Sequence, residues 1–196
     1  MRPPDRLRGQ KLATANTTDN VSVGKGVAGG YFYTAPKGTA LPTDYDTPLA
    51  ATYVNCGFVS DEGITSAKDA STDTFQDLNG DDIATGTSSI ERTIQLQFVE
   101  MRPESLKEVF GQANVTVTND TITVRDNNND MDERVIVMEL VLKDGRRWRR
   151  VCPLAKVQEW DEVQVASTEL VGMGVTYRLL KPDDGDYIID YIQASA

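Results

Sequence analysis

The chain has 196 residues, of which 39% are hydrophobic and 26% charged, as is usual for a folded globular protein. Its net charge of −10 argues against a free-standing nucleic-acid binder and against electrostatic docking on an anionic membrane. The complete lack of histidine removes the commonest general base and metal ligand, which disfavours an enzyme.

The first part of the chain, residues 1–28, is polar and rich in glycine without a helical period, which predicts an extended N-terminal arm. Its basic start lacks the apolar stretch of a secretory signal, and no apolar run in the chain reaches the roughly 18 residues of a transmembrane helix. Residues 29–196 are predicted to form one domain. Cys56 and Cys152 are expected to be reduced and buried, with a disulfide as the alternative.

The domain is predicted to begin with an aromatic strand at residues 30–34. A long irregular loop at about residues 35–52 follows, because prolines and a glycine stand there among aspartate and threonine. Loops of this length are uncommon in compact domains unless they have a role.

Short strands are predicted next, at residues 53–60 and 64–67. The stretch 68–89 is rich in aspartate, threonine, serine and glycine, and one strand is predicted in it, near residues 74–78. Asn79-Gly80 is the dipeptide that favours a two-residue hairpin turn, so a tight turn is expected there.

Residues 90–99 carry the clearest strand pattern of the chain. Alternation at period two over this length predicts that one face lies in a core and the other in water. The side chains predicted to face the core are Ile90, Arg92, Ile94, Leu96 and Phe98. The side chains predicted to face water are Glu91, Thr93, Gln95 and Gln97.

The one good helical pattern is Pro103–Phe110, where proline occupies a favoured first-turn position. Three apolar side chains share one face of this helix: Leu106, Val109 and Phe110. Gly111 is predicted to end it in a left-handed cap. A helix this short is not stable alone, so it is expected to pack on the sheet.

Strand patterns occupy the rest of the chain. They are predicted as a hairpin at 115–125, a second hairpin at 134–154, and strands at 157–165, 168–180 and 187–193. About ten strands and one helix, without alternating order, predict a mainly β fold. The expected architecture is an antiparallel β-sandwich or barrel with one flanking α-helix.

The loop Asp126–Glu133 carries oxygen-bearing side chains at alternate positions, which a calcium loop requires. Its sixth position, however, is Met131 where glycine is needed, and its twelfth is Val137 where glutamate is needed. A solvated hairpin loop is therefore the preferred interpretation, with calcium as the alternative. Asp77–Asp82 receives the same interpretation, and no metal or cofactor is predicted.

Residues 146–150, Arg-Arg-Trp-Arg-Arg, form the one basic cluster. Alternation along a strand divides its arginines into two pairs, which weakens the case for a nucleic-acid site. We expect these arginines to pair with carboxylates, either within the subunit or across an interface. In so acidic a chain, Arg147 and Arg149 are candidate charges at contacts between copies.

Several motifs occur in a distinctive order. GGYFYTAPKGTALP at residues 29–42 is followed by GFVSDEGI at 57–64, then by a strand ending LQFVE at 96–100 and the helix LKEVFG at 106–111. This order, over residues 25–112, resembles the major tail protein of long non-contractile-tailed bacteriophages, which is their tail tube subunit.

The resemblance implies a structural virion protein and not an enzyme. Six copies would form a ring, and stacked rings would form a hollow tube that conducts DNA. The implied partners are further copies, the tape measure protein, and the tail terminator and distal tail proteins, with assembly in the host cytoplasm and no membrane. Another phage structural β-protein, such as a tail terminator or head decoration protein, is the alternative.

The resemblance also suggests roles for two parts of the chain. The polar face formed by Glu91, Thr93, Gln95 and Gln97 is a candidate lumen wall, because a face without lysine or arginine cannot grip phosphates. The long loop is a candidate strap between rings. Its candidate contact residues are Pro42, Asp44, Tyr45, Asp46 and Pro48.

Overall fold

The computed structural model describes residues 21–163, 165, 167–168, 170–183 and 185–194. Within them the chain forms mainly strands and a single α-helix. The elements are β1 (Lys25–Gly26), β2 (Phe32–Pro36), β3 (Val54–Asn55), β4 (Thr65–Gln76), β5 (Asp82–Phe98), α1 (Pro103–Phe110), β6 (Val115–Thr118), β7 (Thr121–Val124), β8 (Arg134–Val141), β9 (Arg147–Trp160), β10 (Met173–Leu179) and β11 (Ile189–Ile192).

Nine of these strands form one antiparallel sheet in the order β3-β2-β8-β9-β10-β5-β4. β1 pairs with the same edge of β8 as β2 does, and β11 pairs with the same edge of β9 as β10 does. β6 and β7 form a separate hairpin. The long strand β9 therefore organises the sheet, because it pairs with three other strands.

The segment after β3, residues 56–60, hydrogen-bonds to β2 near one end of the sheet and to β5 near the other. The Cys56 N–H donates to the Phe32 carbonyl of β2 at 3.0 Å, and the Ser60 N–H donates to the Gln97 carbonyl of β5 at 2.9 Å. Phe32 and Phe98 then meet edge to face inside, with ring centroids 5.6 Å apart. The predicted antiparallel β-sandwich or barrel with one helix is confirmed.

Apolar side chains are buried on both faces of the sheet. The larger cluster lies inside the curled sheet and under α1, and it includes Phe32, Ile94, Phe98, Ile136, Cys152, Val175 and Tyr177. The smaller cluster lies on the opposite face, under the long loop, and consists of Ala35, Tyr53, Val135, Val137 and Val151. Cys56 and Cys152 are buried and free, as expected.

The helix α1 has the predicted bounds, and its Leu106 and Val109 are buried as predicted. It also buries Glu108, which the sequence pattern did not single out. Gly111 has a positive φ of 97°, but its ψ of 147° is extended, so the predicted left-handed cap is wrong. No helix among the described residues is both long enough and apolar enough to cross a membrane.

The largest departure from the sequence prediction is the stretch 68–89. One short strand is predicted there, near residues 74–78, but almost the whole stretch is paired strand. β4 and β5, of 12 and 17 residues, form one long hairpin. The predicted turn at Asn79-Gly80 is present, but it is longer than a two-residue turn, because Gln76 pairs with Asp82 and leaves residues 77–81 as the turn. The buried side chains of β5 start only at Ile94. Ile90 belongs to the exposed part of the hairpin, residues 68–90, and its side chain is 43% exposed.

Two smaller differences concern the strand boundaries. The predicted separate strand at 157–165 is the end of β9, which continues to Trp160. Lys25 and Gly26, which fall in the predicted arm, pair with Val141 and Leu140 of β8. Residues 1–20 of that arm lie outside the described residues.

Candidate assembly surfaces

The polar side chains of β5 share one open face of the sheet. Gln95 is exposed, and Glu91, Thr93 and Gln97 are half-buried. The neighbouring Ile94, Leu96 and Phe98 point into the core from the other face. The four polar side chains therefore lie on the face predicted for them, opposite to the buried Ile94, Leu96 and Phe98.

The same face continues onto the neighbouring strands and carries positive charges there. Thr93 is paired with Arg178 of β10, which in turn is paired with Lys156 of β9, and directly paired residues point to the same side. The expectation of a face without lysine or arginine is therefore wrong once the adjacent strands are included. Single-strand periodicity could not reveal this, because the two cations come from strands distant in sequence.

Both of these cations already have a carboxylate partner. The Arg178 guanidinium lies 3.5 Å from Glu91, and the Lys156 ammonium lies 2.6 Å from Asp130. Paired cations attract phosphate less than free ones, since the local charge is balanced. The face therefore remains a hydrated surface of mixed charge.

The long loop lies folded on its own sheet and is held there by Arg149. The guanidinium Nε donates to the Glu139 carboxylate at 2.7 Å, while Nη1 and Nη2 donate to the carbonyls of Asp44 and Thr47 at 2.7 and 2.8 Å. The Arg149 side chain is only 3% exposed. A planar guanidinium suits this task, because its donors form a rigid fork.

The turn at the tip of the loop is organised by Asp44. Its carboxylate accepts hydrogen bonds from the backbone N–H groups of Asp46 and Thr47, and from the Thr47 hydroxyl at 2.6 Å. The Thr47 hydroxyl bond and these backbone bonds lower the pKa of Asp44 to about 2. At the other end of the loop the Tyr53 hydroxyl donates to the Ala40 carbonyl at 2.8 Å.

We expect Asp44 to titrate near pH 2 when its carboxyl carbon is followed by NMR, because its folded-state pKa is depressed. Its contribution to stability is thus present above its unfolded pKa, near 3.9, and is lost as the pH falls toward 2. Thr47→Val should raise the Asp44 pKa toward the ordinary value, since it removes the largest single cause. An unchanged midpoint in Thr47→Val would contradict this assignment.

The residues predicted for contacts between copies have clear positions. Asp46 and Pro48 are exposed on the loop, whereas Pro42, Asp44 and Tyr45 are half-buried. Arg147 forms an exposed ion pair with Asp46 at 2.8 Å. Arg147 and Arg149 thus both bind carboxylates and the loop of their own chain, and a role at a subunit interface stays a prediction for each.

The projecting part of the β4–β5 hairpin is a further surface, which the sequence analysis missed. Residues 68–90 are exposed on both faces, with only isolated half-buried positions. Large apolar side chains are exposed near its tip: Phe75 by 57%, Ile83 by 67%, and Leu78 completely. The sequence signal was a run of β-prone threonines without an apolar face, which is equally typical of a loop.

Comparison with known proteins decides what these surfaces belong to. A sequence model described as phage tail tube protein matches residues 15–196. The chain belongs to the phage tail tube protein family. It is therefore a structural component of a phage tail, of a family whose members assemble with copies of themselves into a tube.

No curated protein matches this tail tube protein at a significant level. Among solved structures it is similar to a chain described as the tube-terminating cap of the anti-feeding prophage. The two chains are 14% identical with a TM-score of 0.38, over 92% of this chain and 100% of the other. That likeness is too low to carry a structural argument.

This tail tube protein also contains a buried polar cluster under α1. The Glu108 carboxylate accepts hydrogen bonds from the Thr34 hydroxyl at 2.8 Å and the Tyr177 hydroxyl at 3.2 Å, and it pairs with Arg134 at 3.0 Å. Burial raises the pKa of Tyr177 well above its ordinary value. Burial likewise raises the pKa of Cys56, beside the cluster, to about 12, so its thiol stays protonated and inert.

The acidic loop 126–133 of the tail tube protein is tied to its surroundings by its own side chains. Asp130 pairs with Lys156, and Asp132 accepts from the Gln112 N–H at 3.2 Å. Asn127 and Asn114 exchange side-chain hydrogen bonds. In the described part of the chain, no three carboxylate or cysteine side chains are grouped to hold a metal ion.

Proposed function

We propose that six copies of the chain form a ring, and that the rings stack into the tail tube through which DNA leaves the virion. The observation that carries this proposal is the β4–β5 hairpin. A two-stranded hairpin without a covered face is at best marginally stable in water. A second copy that covers it would supply the missing packing.

The free edge of β4 supports the same proposal. Its 12 residues pair with β5 on one side only, and no described strand lies on the other side. An exposed edge of this length is a template for further strand pairing, which soluble monomers avoid. Pairing with a neighbouring copy would extend the sheet around a tube, and the number six rests on the family resemblance.

The polar face around Gln95 is suited to the wall of the lumen. It is hydrated, and its cations Arg178 and Lys156 are matched by Glu91 and Asp130, so it offers phosphate little attraction. DNA could therefore slide past it after the tape measure protein has left. A tube structure with Glu91, Gln95 and Gln97 on the outer surface would contradict this placement.

The long loop is the proposed contact between stacked rings. Arg149 and Asp44 hold it in one conformation before assembly, so little ordering entropy opposes binding. Its exposed residues, Asp46 and Pro48, would then meet the next ring. The tail terminator and distal tail proteins would use the same end surfaces, and assembly would take place in the host cytoplasm.

Electron microscopy of the purified protein tests this function. We expect tubes or six-fold rings from the unmodified chain. A variant in which Asn-Gly replaces residues 71–89 joins the paired residues Ala70 and Ile90 by a short turn. It should remain folded by circular dichroism but form no tubes, because the surface covered by neighbours is gone.

Asp120→Gly, in the turn of the exposed β6–β7 hairpin, is the matched control and should assemble normally. Unmodified protein that stays monomeric at high concentration would contradict the proposed function. Single rings that never stack would point instead to a terminator. Tubes formed by the shortened variant would show that the hairpin is not the assembly element.

A further inference from the structure

A groove of about 810 Å³ lies beside the base of the β4–β5 hairpin. Its apolar lining includes Tyr31, Ile64, Met138, Leu140 and Trp148. The segment 24–30, which contains β1, forms one side, and Ser66 at the start of β4 lies at the rim. Among the described residues, β1 pairs only with β8, so its outer backbone edge is open toward a ligand.

The tip of the same hairpin has properties that match this groove. Its exposed Phe75, Leu78 and Ile83 are apolar. Residues 69–82 contain five aspartates and no lysine or arginine. A segment that is apolar, acidic and already in strand conformation can add to an open strand edge while its side chains enter an apolar groove.

The charges of the groove are opposite to those of the tip. Three cations, Lys25, Arg102 and Arg150, and one carboxylate, Glu100, line it. Arg150 binds Asp190 and Arg102 binds Glu104, so their charge is partly balanced. Lys25 is exposed at the rim, where it can meet an aspartate of an incoming segment.

We propose that the hairpin tip of one copy, residues 75–83, occupies this groove of the next copy. The inference rests on the proposed function and names the two surfaces that would meet. Because the tip and the groove are different surfaces of one chain, the contact is heterologous and repeats from copy to copy.

The contact also sets a spacing. The groove lies at the base of the hairpin, and β4 runs from there to the tip over about twelve residues. At roughly 3.3 Å per residue this strand spans about 40 Å. Copies joined by the contact are therefore expected to be offset by about that length along the hairpin direction.

Disulfide cross-linking tests the contact in assembled protein. The native Cys56 and Cys152 are fully buried, so cysteines introduced at the surface should react selectively under mild oxidation. The double variant Leu78→Cys/Ser66→Cys should give a ladder of covalent oligomers, because every copy carries both halves of the contact. Either single variant should give at most dimers.

The matched control is Leu78→Cys/Thr123→Cys, whose second cysteine lies on the exposed β6–β7 hairpin. A ladder of covalent oligomers from the control equal to that of Leu78→Cys/Ser66→Cys would overturn the proposal. It would also be overturned if the Leu78→Cys/Ser66→Cys variant formed tubes but no covalent oligomers on oxidation. If a cysteine introduced within residues 1–20 forms a disulfide with the cysteine of Ser66→Cys, and the cysteine of Leu78→Cys does not, then the N-terminal residues occupy the groove and the proposal is overturned. Unmodified protein without tubes or rings would instead reject the proposed function itself.

A second measurement uses the apolar contact. Leu78→Asp should raise the protein concentration needed for assembly by about tenfold, since a leucine side chain would no longer be buried. Val117→Asp, which changes an exposed valine of β6, should leave that concentration unchanged. Equal effects of the two substitutions would overturn the proposal.

Discussion

Replacing Arg134 by methionine is expected to lower the free energy of unfolding by about 3–5 kcal/mol. The guanidinium of Arg134 lies 3.0 Å from the Glu108 carboxylate, and the two side chains are only 9% and 3% exposed. Without Arg134 the carboxylate would stay buried with hydroxyl and amide donors alone. Urea unfolding followed by circular dichroism measures the loss.

A double variant separates charge balance from packing. Arg134→Met/Glu108→Gln leaves no charge in this cluster. The amide oxygen can take the place of Oε1 and accept from the Thr34 hydroxyl, while the amide NH2 takes the place of Oε2 and can donate to the Tyr177 hydroxyl. It should recover a large part of the lost stability. If the double variant is no more stable than Arg134→Met, then the unpaired carboxylate is not the cause.

An exposed ion pair provides the comparison for this experiment. Arg178 and Glu91 are 3.5 Å apart on the open sheet face. Arg178→Met is expected to change stability by less than about 1 kcal/mol, because solvent screens exposed pairs. A similar loss for Arg178→Met and Arg134→Met would contradict the role assigned to burial.

Arg149→Ala is expected to lower the free energy of unfolding by about 3 kcal/mol and to release the long loop from the sheet. The substitution leaves the Glu139 carboxylate without its partner and the carbonyls of Asp44 and Thr47 without their donors. Chemical unfolding measures the first effect. Limited proteolysis within residues 40–50 measures the second.

Arg147→Ala is the matched control, since Arg147 binds the same loop through an exposed ion pair with Asp46. It should cost less than about 1 kcal/mol and leave the loop protected. Arg149→Lys keeps the charge but loses the fork of donors, so it should still release the loop. A loop that stays protected in Arg149→Ala would show that apolar packing of the loop holds it.

The same variant bears on assembly. If the preformed loop contacts the next ring, Arg149→Ala should form fewer tubes at a temperature where the subunit remains folded. A subunit that assembles normally with a released loop would remove the loop from the proposed ring contact. The β4–β5 hairpin would then remain the principal proposed assembly element.

Local signals in the sequence were enough for several elements. Proline at the first turn and three apolar residues on one face located α1 at Pro103–Phe110. Turn residues between β-prone runs located the hairpin of β6 and β7, where Asn119 adopts a positive φ of 53°. These elements depend on residues a few positions apart, which a single sequence displays directly.

The projecting hairpin could not be recognised in this way. Between Lys68 and Ser89 the chain has no apolar face, so a strand and a loop look alike in the pattern. Only pairing with β5, in a register that begins at Thr65 and Gln95, makes this stretch a strand. The sequence of a single chain also gives no sign of the neighbouring copy that we propose packs on this hairpin.

By itself, the sequence determined an acidic, mainly β chain with one short helix, a polar strand face at 91–97 and a long loop. Only the tertiary structure decided which charges are buried and what they hold. Arg149 reaches Asp44 across 105 positions, and Arg134 reaches Thr34 across 100. Partners at such distances are selected by how the strands align in the sheet, and strand order leaves no periodic trace in the sequence.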